Sequence, residues 1–284
     1  MTVKILTDST ADIRGDEIKK FNVDVIPLNV EFGTASYQDG VTISPDEFYK
    51  KLVEEKEFPK TSQPAPGAFL EFFEAAKKKG EELIYLSISS GLSGTINSAR
   101  IAQEMCGYDG IYVVDTLESI QGLHIVVEEA CKLRDEGKSA KEIADYVEDL
   151  KGRIHILSAI DTLAYLRKGG RLSAAGALIG NLINLKINVD LNLKGSIRVY
   201  GKCIGIQKAY RSILAGIEKD PIDFSHPVQF GYTDSPTNLN ILIEKIRSVL
   251  GNFSYTVSQI GPAIGSHIGP GGFDVAYVSP NPRY

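Results

Sequence analysis

Apolar positions in the first half of the chain fall into short unbroken runs, separated by longer stretches where they recur every three or four residues. Val3–Asp8, Leu83–Ile88 and Ile111–Asp115 have the unbroken pattern of strands covered on both faces. Asp16–Phe21, Gly67–Lys79, Glu118–Glu136 and Ala140–Leu150 have helical spacing. Val23–Val30 reads as a further strand, with Pro27 marking an edge or a bulge. Ser44-Pro45-Asp46-Glu47 supplies an N-cap, a first-turn proline and a capping-box acid, and predicts a helix to about Lys56. Pro59–Pro66 reads as a proline-bounded loop. Strands alternating with helices predict a parallel sheet covered on both faces. Right-handed crossovers then bring Asp8, Ser89 and Asp115 to one carboxyl edge, where open α/β sheets bind ligands.

The rhythm changes after Lys151-Gly152-Arg153, which predicts two α/β domains, 1–152 and 153–284. Ile154–Ile160 reads as a strand, followed by helical segments at Leu163–Lys168 and Ser173–Ile183. Lys186–Leu193 and Ser196–Ile204 form a predicted antiparallel hairpin turning near Lys194-Gly195. Gln207–Lys219 and Asn238–Leu250 are helical, and Val228–Thr233, Tyr255–Ile260 and Phe273–Val278 are strands. Adjacent antiparallel strands mixed with helices predict a mixed sheet in this half.

Composition narrows the class. Hydrophobic residues make up 43% of the 284 positions and charged ones 24%, enough for a real core. The net charge of −5 argues against nucleic acid as a partner. No apolar run reaches the length of a membrane span, and residues 1–10 lack a signal-peptide core, so a cytoplasmic protein is expected. Cys106, Cys131 and Cys203 are scattered, and His124, His155, His226 and His267 lack metal-ligand spacing. Neither a disulfide framework nor a metal site is expected.

The candidate chemistry lies in four loops: Asp8-Ser9-Thr10, Thr61-Ser62-Gln63-Pro64, Ser89–Thr95 and the glycine-rich Gly261–Gly272, which holds His267. Ser89–Thr95 is a hydroxyl- and glycine-rich turn between a strand and a helix, a donor cluster suited to a phosphate, a carboxylate or an oxyanion. There is no P-loop lysine and no dinucleotide fingerprint. The nucleophile-elbow pattern is approached in Gly91-Leu92-Ser93-Gly94-Thr95, but threonine stands in place of the last glycine. A serine hydrolase using Ser93, Asp161 and His267 is one alternative, and a phosphate-binding module another. Asp8 and Asp115 either brace loops or form a metal pair; bracing is the simpler reading. Arg167-Lys168-Gly169-Gly170-Arg171 reads equally as a helix C-terminus with its glycine stop and as a docking patch for an acidic or phosphorylated partner.

Taken in order, Thr7-Asp8-Ser9-Thr10, Tyr37-Gln38-Asp39-Gly40, Thr61-Ser62-Gln63-Pro64, Ser89–Thr95, Tyr165–Arg171 and the closing loop with His267 resemble the DegV family over the whole chain. These are the fatty-acid-binding proteins that serve as the lipid-carrying subunit of bacterial fatty acid kinase. The resemblance implies a DegV-like pair of α/β domains, the first with a small parallel sheet flanked by helices and the second with a mixed six-stranded sheet. It further implies one long-chain fatty acid in a tunnel between them and no cofactor or catalytic residue. The family's carboxylate contacts carry over onto Thr61, Ser93 and His267, with Ser62, Gly94 and Thr95 alongside. Arg167, Lys168 and Arg171 are the expected partner-binding residues, and the resemblance implies a separate ATP-dependent kinase subunit that phosphorylates the bound carboxylate, the acyl phosphate then going to phospholipid synthesis. The chain departs from the family's K-x-R-T pattern at Lys202-Cys203-Ile204-Gly205, with Ile204 where the arginine falls; that arginine belongs to the kinase-facing surface. Lys186-Ile187 and Lys194-Gly195 replace the usual Lys-Pro and Asp-Gly of the hairpin. A lipid-binding paralogue without a kinase partner is the alternative that these departures raise.

Overall fold

The computed structural model describes residues 2–54, 58–172 and 185–283. In chain order the elements are β1 (Val3–Asp8), α1 (Asp16–Phe21), β2 (Asp24–Ile26), β3 (Asn29–Phe32), β4 (Ala35–Gln38), α2 (Pro45–Glu54), β5 (Lys60–Ser62), α3 (Pro66–Lys79), β6 (Glu82–Ser87), α4 (Thr95–Cys106), β7 (Ile111–Asp115), α5 (Ile120–Asp135) and α6 (Ala140–Leu150). There follow β8 (Ile154–Ile160), α7 (Ala164–Lys168), β9 (Leu185–Leu191), β10 (Ile197–Ile204), α8 (Ile206–Lys219), β11 (Gln229–Tyr232), α9 (Thr237–Leu250), β12 (Thr256–Gln259), α10 (Pro262–Ile268) and β13 (Phe273–Val278). The helix predicted at Ser173–Ile183 lies outside the described residues.

The fold is α/β, with a parallel sheet in the order β2-β1-β6-β7 and a mixed six-stranded sheet in the order β10-β9-β8-β13-β11-β12. In the parallel sheet the chain passes from β1 to β2 on one side and returns to β6 on the other. The switch point therefore lies between β1 and β6, beside the turn that leaves β6. Helix α5 joins the sheets. It touches β1 and β6 of one and β8, β11 and β13 of the other. Leu123, Ile125, Val126 and Val127 are fully buried, as befits a helix apolar all round. One hydrophobic cluster runs through it from Ile5 and Ile84 to Ile156 and Val278.

Three readings need correction. Val23–Val30 is not one strand. Pro27 divides it into β2, in the parallel sheet, and β3, which pairs with β4 and β5 in a separate antiparallel sheet. Proline cannot donate to a ladder, and here it marks the point where the chain changes sheet. The Pro59–Pro66 segment contains β5, whose Thr61 pairs with Val30. Three residues are too short for a periodic signal, so that strand is set by its partner. Similarly, α10 occupies part of the glycine-rich closing loop. Pro262 starts it, and Gly265 lets Tyr49 of α2 approach, because a Cβ there would lie 2.6 Å from the Tyr49 hydroxyl.

Candidate functional site

An apolar cavity opens at the carboxyl edge of the parallel sheet and runs over the mixed sheet. Its unfilled space, counted out to the mouth, is about 790 Å³. Ile156, Ser158 and Ile160 of β8 line it at every second position, so one face of that strand is its floor. Val189, Leu191 and Ile197 extend the floor, and Leu92, Ile120, Ile264 and Ile268 cover it.

Thr61, Ser93 and His267 meet at this cavity. Thr61 points inward by strand alternation from β5, whereas its neighbour Ser62 is exposed. Thr61 Oγ1 and His267 Nε2 lie 2.8 Å apart, and His267 Nδ1 has no hydrogen-bond partner among the described residues. Burial, helped by the charge of Arg171, pushes the His267 imidazole down to about 4, so it is neutral at physiological pH. A buried N–H without a partner costs more than an idle lone pair, which favours the tautomer with the proton on Nε2, donating to Thr61. The Thr61 hydroxyl hydrogen is then directed to the cavity. Ser93 is arranged alike. Its Oγ accepts from the Thr95 amide (3.3 Å) and lies 2.7 Å from Thr95 Oγ1. With Thr95 as donor, the Ser93 hydroxyl also points its hydrogen outward.

The other hydroxyls of the β6–α4 turn have different tasks. Ser89 Oγ donates to Gly195 O (2.8 Å), and a Cβ on Gly91 would lie 2.5 Å from Lys194 O. The tip of the β9–β10 hairpin is thereby seated on this turn. Thr95 is buried and supports Ser93, and Gly94 gives passage to the Gln63 side chain. Asp8 is a brace. It accepts from the Thr10 amide, the Tyr85 hydroxyl and the Ile88 amide, the last two at 2.8 Å. Asp115 accepts from the amides of Ser90 and Leu117.

The chain matches the family model described as "Uncharacterised protein, DegV family" over residues 2–279. It belongs to the DegV family. A DegV domain-containing protein of Caldanaerobacter subterraneus is 36% identical over 269 residues, covering 94% of this chain and 95% of the relative. Among solved structures, a DegV family protein from Thermus thermophilus, described by its fatty acid binding, superposes with a TM-score of 0.89 at 31% identity, covering 98% of this chain and 100% of that one. Bacillus subtilis DegV, described as a fatty acid binding protein, superposes with a TM-score of 0.86 at 28% identity, covering 98% and 99%.

In this DegV chain the basic segment divides. Arg167 and Lys168 are exposed at the end of α7, with the Lys168 ammonium 5.2 Å from the Phe58 ring centre. Arg171 instead turns inward and lines the cavity, donating from Nε to Leu92 O (3.0 Å) and from Nη1 to Gly169 O (2.5 Å). The sequence reading placed it with the outer surface. The glycines before it hold the clue: a Cβ at Gly169 would lie 2.1 Å from His267 Nδ1, so the chain must pass close to the imidazole before Arg171. The hydrolase alternative lacks its relay. Asp161 pairs with Lys186, and His267 spends Nε2 on Thr61 and has no acid at Nδ1. Among the described residues no helix is long and apolar enough to cross a membrane.

Held above these groups, α10 owes its position to buried charge. Asp12 Oδ1 accepts from the Gly261 amide (2.9 Å) and Asp39 Oδ2 from the Ala263 amide (3.2 Å). Arg14 lies between the two carboxylates, at 2.6 Å from Asp12 and 3.6 Å from Asp39, and donates to Gln259 O. The family resemblance named the Asp39 segment but gave it no role.

Proposed function

We propose that this protein is a carrier that binds one long-chain fatty acid, with its carboxylate held by Thr61, Ser93 and His267. The observation that carries this reading is the convergence of Thr61, Ser93 and His267 at one end of a mostly apolar cavity. Arg171 adds a positive charge on the same wall. Neutral donors satisfy a carboxylate while leaving an oxygen lone pair available. Affinity comes from the chain, at about 0.8 kcal/mol per buried methylene before ordering costs. The chemistry agrees with the fatty acids ascribed to the Thermus and Bacillus relatives. In this reading the cavity lies between two domains, 1–152 and 153–284, the second beginning as β8 enters the mixed sheet.

Native mass spectrometry of the purified protein should show a co-purified mass in the fatty acid range, and delipidated protein should regain it from hexadecanoic acid. Protein that stays empty when offered saturated and unsaturated acids of several lengths would rule the reading out. We extend it to presentation of the carboxylate to a separate ATP-dependent kinase subunit, supported by Arg167 and Lys168 on α7, which contacts α10 beside the clamp. Charge reversal at both should abolish acyl phosphate formation by the reconstituted pair while leaving lipid occupancy intact. Undiminished product would instead favour carriage for another purpose.

A further inference from the structure

Polar groups stand behind the apolar lining at the far end of the cavity. Strands β8 and β9 pair only from Ser158↔Val189 to Ile160↔Ile187, so the ladder stops short of Ile156 and Leu191. In that gap Ile156, Asp190 and Leu191 line both the apolar cavity and a second, polar pocket behind it. The head-group end lies beside Ile160. At about 3.3 Å per residue, Ile156 is about 13 Å further along the floor.

Two donors at this end have an atom without a partner among the described residues. Ser119 occupies the N-cap position of α5 yet makes no capping bond, and its buried Oγ has no hydrogen-bond partner. Arg283, whose side chain is 5% exposed, pairs through Nη1 with Glu118, but its Nε has no partner and the residue lines the polar pocket. Gly122 ties the groups together, since a Cβ there would meet both Glu118 Oε2 (2.4 Å) and Ile156 Cδ1 (2.6 Å). An acceptor is present too. Asp190 is held in place by Arg198, whose Nε and Nη2 donate to its two oxygens at 2.8 and 2.5 Å.

We propose that this end of the cavity is a subsite for a neutral oxygen, so that the preferred ligand is a fatty acid with a hydroxyl in the distal part of its chain. The proposal rests on the fatty acid reading above and names the class of acid within it. A hydroxyl can accept from Ser119 or Arg283 and donate to Asp190, uses that a methyl end leaves unmade. Asp190 selects the hydroxyl over a second carboxylate: its carboxylate, held by Arg198, accepts from a hydroxyl and repels a further carboxylate.

Delipidated protein titrated calorimetrically with tetradecanoic, hexadecanoic and octadecanoic acids and their omega-hydroxy counterparts tests this. At the chain length that reaches the gap, the hydroxy acid should bind about tenfold more tightly than its parent, the effect of about one well-made hydrogen bond. It should also bind more tightly than the corresponding dicarboxylic acid. The double variant Ser119→Ala with Asp190→Asn should bring the hydroxy-to-parent ratio to about one, and parent binding in that variant reports whether its site is folded. Parent acids that bind as tightly as their hydroxy counterparts at every length would overturn this proposal alone. A protein that binds none of these acids would overturn the carrier reading with it.

Discussion

A His267→Ala variant is expected to bind hexadecanoic acid about thirtyfold more weakly than the unaltered protein, as measured by titration of delipidated samples. The imidazole donates its one N–H, at Nε2, to Thr61 and so directs the Thr61 hydroxyl to the head group; its removal frees that hydroxyl to rotate and leaves a void beside the head group. The impaired Thr61 hydrogen bond, at about 1 kcal/mol, and the lost packing of the ring, at about 1 kcal/mol, account for the factor. Thr61→Val should cost about fivefold, because it removes one donor and leaves the histidine in place. Equal losses from both variants would mean that His267 acts only through Thr61. The same ring gives a pH signature. Its ordinary pKa is 6.5, lowered to about 4 in the fold. Between these values the unfolded chain takes up a proton that the folded protein refuses, so His267 makes stability fall as pH drops from 6.5 towards 4. Unfolding midpoints of His267→Ala should therefore decline less steeply across that window than those of the parent.

Replacement of Arg14 by leucine should destabilise the protein by about 3–5 kcal/mol, read from denaturant unfolding, because two buried carboxylates lose their counter-ion. Asp12 is already raised to about 7, first by burial and then by the like charge of Asp39, against the pull of Arg14. Without the guanidinium both acids move further up, and the loss should be smaller at pH 5, where they take up protons readily. The damage reaches the ligand site. Asp12 and Asp39 hold the amides of Gly261 and Ala263 at the start of α10, and α10 carries His267. Fatty acid affinity should fall in Arg14→Leu even where the protein remains folded. An affinity equal to that of the parent would show that α10 is held by its packing alone.

Most strands and helices were legible because their signals are local. Val3–Asp8 and Ile111–Asp115 are apolar over a strand's length, and Ala140–Leu150 is a capped amphipathic helix bounded as its spacing predicts, with Ser139 and Glu142 forming the capping box. The three-stranded sheet was not legible. Its strands are three or four residues long, and β3 was concealed by continuity with β2 across Pro27. Thr61, Ser93 and His267 were named because hydroxyls and a histidine stood in glycine-rich loops matching a family pattern. Arg171 was misplaced for a related reason. A cation after two glycines looks like a helix stop, and nothing local shows that the chain turns back beneath His267.

By itself the sequence determined which segments are helix or strand, that their alternation builds a parallel sheet followed by a mixed one, and which loops carry polar chemistry. Each of these follows from neighbours within about a helix turn or a strand's length. Only the tertiary structure decided which hydroxyls face the cavity, that Arg171 lines its wall, and that buried charge at Asp12, Arg14 and Asp39 positions α10. Such facts depend on contacts between residues far apart in the chain, such as Thr61 with His267 or Asp12 with Gly261. Burial there reorients side chains and shifts their protonation in ways no local pattern encodes.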